Sequence, residues 1–424
     1  MQSLHTSDGS KIITAYRNLS QIVTLGGALK KDGRNLNTSD LGIIENASIV
    51  FDSDHILWVG REDDFPAEYE HASRTSLDPT QIKTLYFAGH TLTPELVDSH
   101  THIIFGGDRS NEYAMRLNGA SYEEIAAAGG GIIFTMKETN RLSTHELYLL
   151  GKERIEHFAS IGIGTIEIKS GYGLNIVKEK EISEVIADLK EFFSPKIQIM
   201  NTFMAAHAVP KEFATSSEYM NKVVLPLLKK VKVDAVDIFF EKNYFDETDT
   251  RQLFTLAREL GIPFKAHADE FNNNFGAKLG AELGALSVDH LLQTCDQGIA
   301  ALAKSKTVAT LLPGTGLFLG KTMANARKFL DNGVKVAIAS DYNPGSCHCD
   351  NLLMLASIAA PMYKMNLGEL WSAITLNAAH ALGLYSQGAI IEGLKPRFTL
   401  FKCNSINQIT YNWGKNLACN TLAR

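Results

Sequence analysis

Apolar positions along the chain change their rhythm twice. From about residue 18 to residue 90 they fall in short runs, at 21–25, 47–51, 55–59 and 84–87, broken by turn residues such as Asp52-Ser53-Asp54 and followed by Gly60 and Gly89. Short apolar runs separated by tight turns predict β-hairpins. The same rhythm returns at 388–391, 398–402 and 409–411, so one small β-domain assembled from both ends of the chain is expected. In between, a run that ends at His102 is followed by seven more runs rich in β-branched residues, at 164–169, 197–203, 234–240, 263–267, 286–290, 307–312 and 334–340. Segments of helical periodicity lie between them, at 178–193, 248–260, 276–283, 296–303 and 323–332, and Gly261 and Gly333 stand where two of these should end. Buried-type strands alternating with helices predict a parallel sheet, and eight such units predict a closed barrel. The expected fold is therefore α/β: a (β/α)8 TIM barrel over residues 91–385, with a small β-sandwich built from residues 1–90 and 386–424. The widest gap between barrel strands holds Ala126-Ala127-Ala128-Gly129-Gly130-Gly131, expected to be a loop over the mouth.

Composition narrows the function classes. Hydrophobic residues make up 45% of the 424 and charged residues 21%, ordinary values for a globular protein, so the core is ample. A formal net charge of −6 and the lack of any Lys/Arg run argue against nucleic acid or an anionic membrane as partner. No apolar run approaches the roughly 18 residues that a membrane helix needs, and the polar first twenty residues lack the apolar centre of a signal peptide. Five cysteines at irregular spacing fit a reduced, cytoplasmic protein.

In a barrel of this kind the catalytic groups sit at the C-terminal ends of the strands. The first run ends Val97-Asp98-Ser99-His100-Thr101-His102, and in an extended strand residues 100 and 102 share a face, so both imidazoles can reach one metal ion. His207 follows the third run, His267 ends the fifth, His290 the sixth, and Asp341 follows the eighth. Singly, each reads more readily as a satisfied core or surface residue. Together they place imidazoles and a carboxylate on one rim, a set that suits Zn²⁺ or iron and lowers the pKa of coordinated water toward about 7. Glu270, three residues beyond His267, is placed to move a proton, and His290 to polarise a carbonyl. Cys347-His348-Cys349 could be read as a second metal site, although two cysteines one residue apart rarely chelate without further ligands.

These residues resemble the amidohydrolase superfamily, and within it the imidazolonepropionases. The more specific signs are His102-Ile103-Ile104-Phe105-Gly106-Gly107-Asp108-Arg109, Ile168-Lys169-Ser170-Gly171-Tyr172-Gly173, His267-Ala268-Asp269-Glu270-Phe271, Leu311-Leu312-Pro313-Gly314-Thr315 and Asp341-Tyr342-Asn343-Pro344-Gly345-Ser346. The resemblance runs from about residue 20 to 400. It implies one metal, Zn²⁺ or Fe³⁺, held by His100, His102, His267 and Asp341, with Glu270 and His290 as the catalytic pair. It also implies that Arg109, Tyr172, His207, Glu270, Asn343, Gly345 and Ser346 bind a small carboxylate-bearing substrate or its product, and that the protein works as a homodimer. Arg109 has the planar fork that a carboxylate prefers. Some superfamily members hold two metals through a lysine at the end of the fourth strand; here that strand ends Phe239-Phe240-Glu241, with Lys242 one step beyond, which favours one ion. Pro396-Arg397-Phe398 departs from the Ala-Asp pair usual before the closing strand. The activity implied is hydrolytic ring opening of 4-imidazolone-5-propanoate to N-formimino-L-glutamate. A nucleobase deaminase on the same scaffold is the nearest alternative, and a non-catalytic metal-binding protein the more distant one. Arg109 speaks against the first and Glu270 against the second.

Overall fold

Turn chemistry organises the first part of the chain. In the computed structural model, which describes residues 12–71, 82–120, 124–125 and 129–423, the strands β1 (Ile13–Val23), β2 (Ile43–Phe51), β3 (Ile56–Arg61), β4 (Ile82–Tyr86) and β5 (Thr91–Pro94) share one sheet. β2 and β3 form the expected hairpin, and its turn is fixed by the Asp52 carboxylate, which accepts the N–H groups of Asp54 and His55 at 2.7 Å each.

The barrel follows: β6 (Leu96–Asp98), β7 (Ile163–Lys169), β8 (Gln198–Ala206), β9 (Ala235–Phe240), β10 (Ala266–Ala268), β11 (Ser287–His290), β12 (Val308–Leu311) and β13 (Val336–Ile338). They lie side by side in chain order, each pair parallel. Ring closure comes from backbone bonds just beyond β6 and β13: Asp341 N–H to the His100 carbonyl at 3.0 Å, and His102 N–H to the Tyr342 carbonyl at 2.9 Å. β6 itself stops at Asp98, so the two histidines ride on the extended exit from the strand, not on the strand.

Helices fall close to their predicted positions. Ile176–Phe193, Glu247–Glu259, Gly276–Leu283 and Asp296–Lys304 are all present, and Gly261 and Gly333 adopt φ of +70°, which glycine reaches without strain. The segment expected at 323–332 becomes helical only from Ala326, because the Asn325 side chain caps it by accepting the Lys328 N–H.

The far end of the chain adds β14 (Phe398–Phe401), which pairs antiparallel with β5 and completes a six-stranded sheet ordered β14-β5-β1-β2-β3, with β4 beside β1. Leu19, Ile22, Ala47, Ile49, Leu92 and Leu400 are among the buried residues of its core. Two expected strands are absent. Residues 388–391 make isolated contact with this sheet, with Ile390 N–H on the Thr24 carbonyl, and form no ladder; residues 409–411 belong to the helix Asn407–Tyr411. Arg397, in the unusual segment before β14, ties the two parts together. Its guanidinium meets Glu95 at 2.8–3.0 Å and the Gly164 carbonyl at 2.7 Å. Gly164 must be glycine there, since a Cβ would lie 2.1 Å from the Glu95 carboxylate. No helix among the described residues is long and apolar enough to cross a membrane.

Candidate active site

His100 and His102 turn their Nε2 atoms toward one carboxylate oxygen, Oδ1 of Asp341, at 3.5 and 3.7 Å. His267 enters from the opposite wall, its Nε2 3.4 Å from that of His102. The ligand atoms of His100, His102 and Asp341 lie within 4.8 Å of one another, and so do those of His100, His267 and His290. All five side chains are buried. Burial holds the four imidazoles below the usual histidine range, most strongly at His100, His102 and His290, where neighbouring imidazoles add to it, and Lys169 adds to it at all four. They are therefore neutral and carry free lone pairs. His100 Nε2 has no hydrogen-bond partner. A buried ring nitrogen without a partner, three converging imidazoles and a carboxylate form a donor set that suits a divalent metal.

Carboxylates behind the histidines fix their orientation. His100 Nδ1 lies 2.6 Å from Asp289 Oδ2, and His267 Nδ1 lies 3.1 Å from Asp237 Oδ2, so each ring presents Nε2 to the centre. The carboxylates are held in turn by two fully buried lysines. Lys169 Nζ contacts Asp237 at 2.6 Å and Glu167 at 2.7 Å; Lys265 Nζ contacts Glu167 at 2.8 Å and Asp289 at 3.4 Å. Lys169 thus pairs with carboxylates at the end of β7. Although burial opposes it, contact with His267 and Lys169 keeps Asp237 well below the usual carboxylate range. Asp341 is the reverse case: burial raises it to about 7, against the hydrogen bond it accepts from Thr315 at 2.6 Å. His290 and Asp341 both have positive φ, 80° and 53°, a strained backbone concentrated at the site.

Glu270 stands beside His290 at the edge of this set. Its carboxylate is 3.6 Å from His290 Nδ1, and burial, with Asp341 second, pushes its pKa up to about 8. What places it is Glu241, at the exit of β9. One Glu241 oxygen accepts the N–H groups of Glu270, Phe271 and Asn272 at 3.1, 2.9 and 3.4 Å; the other accepts the side-chain amides of Asn272 and Asn274 at 3.1 and 3.0 Å. The position where a lysine would bridge two metals is thus occupied by an anchor for the Glu270 loop.

A cavity of about 680 Å³ opens over this floor, and Arg109, Tyr172, His207, Asn343, Gly345 and Ser346 all line it, together with Glu270. The His207 ring stacks on His102, with centroids 5.0 Å apart and planes at 17°, and burial holds its pKa down to about 3. Tyr172 sits in a loop whose N–H groups, at Gly171, Gly173 and Leu174, all donate to the buried carboxylate of Glu179 at 2.7–3.0 Å. Asn343 spends its amide within its own loop, accepting from the N–H groups of Gly345 and Ser346 at 2.8 Å each. Arg109 lies against Gly345 so closely that a Cβ there would be 1.9 Å from Nη1. Glu112, Arg116 and Lys321 also line the cavity, and sequence reading missed them. Of the glycine-rich loop expected here, residues 126–128 lie outside the described residues. Gly131 donates its N–H to Glu112 at 2.9 Å. Cys347-His348-Cys349 does not assemble a metal site: among the described residues no ligand cluster includes it, Cys347 is packed against Gly314, and His348 meets the Tyr342 ring edge to face.

Comparison with known proteins places this geometry. The amidohydrolase family profile matches residues 91–418. The chain is similar to the imidazolonepropionase of Bdellovibrio bacteriovorus, 38% identical over 380 residues that cover 89% of this chain and 87% of the relative. It is similar also to that of Idiomarina loihiensis, 40% identical over 381 residues covering 88% and 90%. Among solved structures, the zinc complex of atrazine chlorohydrolase from Arthrobacter aurescens shares the fold, with a TM-score of 0.67 at 15% identity, over 96% of this chain and 94% of that one. The chain therefore belongs to the amidohydrolase family, on the branch of the imidazolonepropionases.

Proposed function

We propose that this protein hydrolyses 4-imidazolone-5-propanoate to N-formimino-L-glutamate, with His100, His102, His267 and Asp341 as metal ligands, Glu270 and His290 as the catalytic pair, and Arg109 facing the propanoate. The observation that carries this reading is Glu270: a buried carboxyl with a pKa near 8, pinned through its backbone between a cation site and a cavity lined by arginines. A pKa this close to neutrality suits a group that must accept a proton and give it up again within one turnover. A single Zn²⁺ or Fe³⁺ in the His/Asp set would supply Lewis acidity for the ring carbonyl and the attacking water.

This chain's own groups do the rest. Glu270 accepts a proton from the water that adds to the ring carbonyl carbon and returns it to the ring nitrogen as the C–N bond breaks, so the lactam opens to a carboxylate and a formimino group. His290, 3.6 Å from Glu270, orients that carboxyl and faces the oxygen on which charge develops. Asp289 and Asp237 keep His100 and His267 in the tautomer that leaves Nε2 free. Tyr172 and His207 form an aromatic wall for the planar ring. A homodimer in the cytoplasm goes with this reading. The test is loss of the imidazolone ultraviolet absorbance with metal-loaded protein, followed by identification of the product. Ammonia release from nucleobases without imidazolone turnover would refute it.

A further inference from the structure

Charge counting at the mouth of the cavity leaves Arg109 short. Its Nε and Nη2 lie 2.9 and 2.8 Å from the same oxygen of Glu112, and the other Glu112 oxygen accepts the Gly131 N–H. Arg109 and Glu112 are together neutral, so this pair alone offers an anionic substrate geometry without net attraction. Seven residues on, on the same face of the helix Ser110–Leu117, stands Arg116. Its guanidinium lines the same cavity, half-buried, with Nη2 3.5 Å from the Gly345 carbonyl and its centre 4.9 Å above the Phe318 ring. Among the described residues no carboxylate lies within ion-pair distance of it. Gly345 is thus touched by both arginines, by Arg109 at Cα and by Arg116 at the carbonyl. Two further cations line the cavity on the other rim: Lys321 sits 4.7 Å over Phe271, on the loop that carries Glu270, and Lys242 follows Glu241, the anchor of that loop, so both belong to the reacting side.

We propose that Arg116 is a second, specificity-determining contact for the substrate carboxylate: it supplies the net positive charge that Glu112 takes away from Arg109. The inference rests on the imidazolone-propanoate reading. It makes Glu112 an internal competitor for Arg109, one that keeps the fork aligned and lowers its pull on carboxylates.

The experiment compares wild type, R116M, R116K, E112Q and the double variant E112Q/R116M, measuring kcat and KM with 4-imidazolone-5-propanoate and with 4-imidazolone lacking the side chain. Losing one charge-assisted contact should raise KM for the propanoate about 10-fold in R116M with kcat little changed, and R116K should recover part of it. Turnover of the unsubstituted ring should not respond. Removing the Glu112 charge should release Arg109 and return KM of the double variant to within about 3-fold of wild type. A coupling of that size is what sites joined through a shared partner show, here Arg109 and the carboxylate it would hold, and independent sites do not. An unchanged KM in R116M, an equal loss with the unsubstituted ring, or no rescue by E112Q overturns the inference while the activity reading stands. Wild-type protein that leaves the imidazolone intact overturns that reading and this inference with it.

Discussion

Replacing Glu270 by glutamine should separate stability from activity in opposite directions. The substitution keeps side-chain volume and touches none of the bonds that hold the loop, since Glu241 grips the backbone N–H groups of Glu270, Phe271 and Asn272. What changes is the proton. In the unfolded chain Glu270 titrates near 4.5 and is ionised at pH 7; in the folded, metal-free protein its pKa is about 8, so folding must return the proton. Recovering it across about 2.5 pH units costs about 3 kcal/mol, at 1.36 kcal/mol per unit. Glutamine carries no such cost. For a chain of 424 residues the unfolding entropy is roughly 0.9 kcal/mol/K, so metal-free E270Q should melt about 3 °C above metal-free wild type at pH 7 and show no advantage at pH 4.5. Activity should move the other way: kcat falls by about 10²–10⁴ with KM within a few-fold and metal content intact. Scanning calorimetry of both metal-free proteins at the two pH values, beside steady-state kinetics of the loaded ones, makes the check. A variant that melts lower at pH 7, or that keeps near-wild-type kcat, would show that Glu270 is neither the desolvated acid nor the proton carrier described.

Asp289→Asn removes the charge behind His100 and should weaken metal binding about 10- to 100-fold with the fold intact, measured by competition with a chelating dye; unchanged affinity would leave Asp289 a packing residue. Glu241→Ala frees the Glu270 loop and should lower kcat by about 10²-fold, more than it raises KM, as displacing a catalytic group by about 1 Å can. Arg109→Met leaves the Glu112 carboxylate facing the cavity unpaired, so KM should rise more in the single variant than in Arg109→Met/Glu112→Gln; equal values would place Glu112 outside the binding field. Asp341 at about 7 and Glu270 at about 8 both bind protons more tightly when folded, so their share of the metal-free protein's stability is lost as pH rises from about 4 to 8, while the buried imidazoles act in the opposite sense below about 6.5. The stability difference between wild type and Asp341→Asn should therefore shift steadily against wild type across that window, and a pH-independent difference would refute the raised Asp341 pKa. Metal loading should tighten over the same window, because the Asp341 carboxylate must be deprotonated to serve as a ligand.

The groups at the strand ends were legible because periodicity located the ends before any polar residue was considered. His100, His102, His207, His267, His290, Asp341 and Glu270 were all read as rim residues, and in the fold they converge around one cavity floor. Strand boundaries near them were less so. Three-residue strands such as β6, β10 and β13 are too short to carry a pattern, and nothing in the local sequence announces the left-handed backbone at His290 and Asp341. The expected strands at 388–391 and 409–411 fail for a related reason: an apolar run says that a segment is buried, while a ladder needs a partner strand in register. Arg116 and Glu112 left no periodic trace, since a helix of eight residues with an exposed outer face does not show which side chain meets the Gly131 N–H nineteen residues on or the Gly345 loop more than two hundred residues away.

A signal for the second layer was nevertheless present in the sequence. Asp237 lies in the middle of Ala-Val-Asp-Ile-Phe-Phe, and Glu167 and Lys169 in Ile-Gly-Thr-Ile-Glu-Ile-Lys, both strands buried along their whole length. Lys265 and Asp289 occupy similar places beside β10 and within β11. Charged residues in a barrel interior are costly, and apolar replacements of similar volume often stabilise a protein; stability alone does not account for five of them. Their contacts do: three carboxylates and two ammonium groups, with Asp237 and Asp289 each turned toward a histidine. Three carboxylates against two lysines leave the layer beneath the imidazoles with one negative charge in excess, and a cation is the ligand that relieves it. The barrel core therefore biases the site toward metal before any histidine coordinates one, and the lysines hold that bias at a level the folded chain tolerates without the ion.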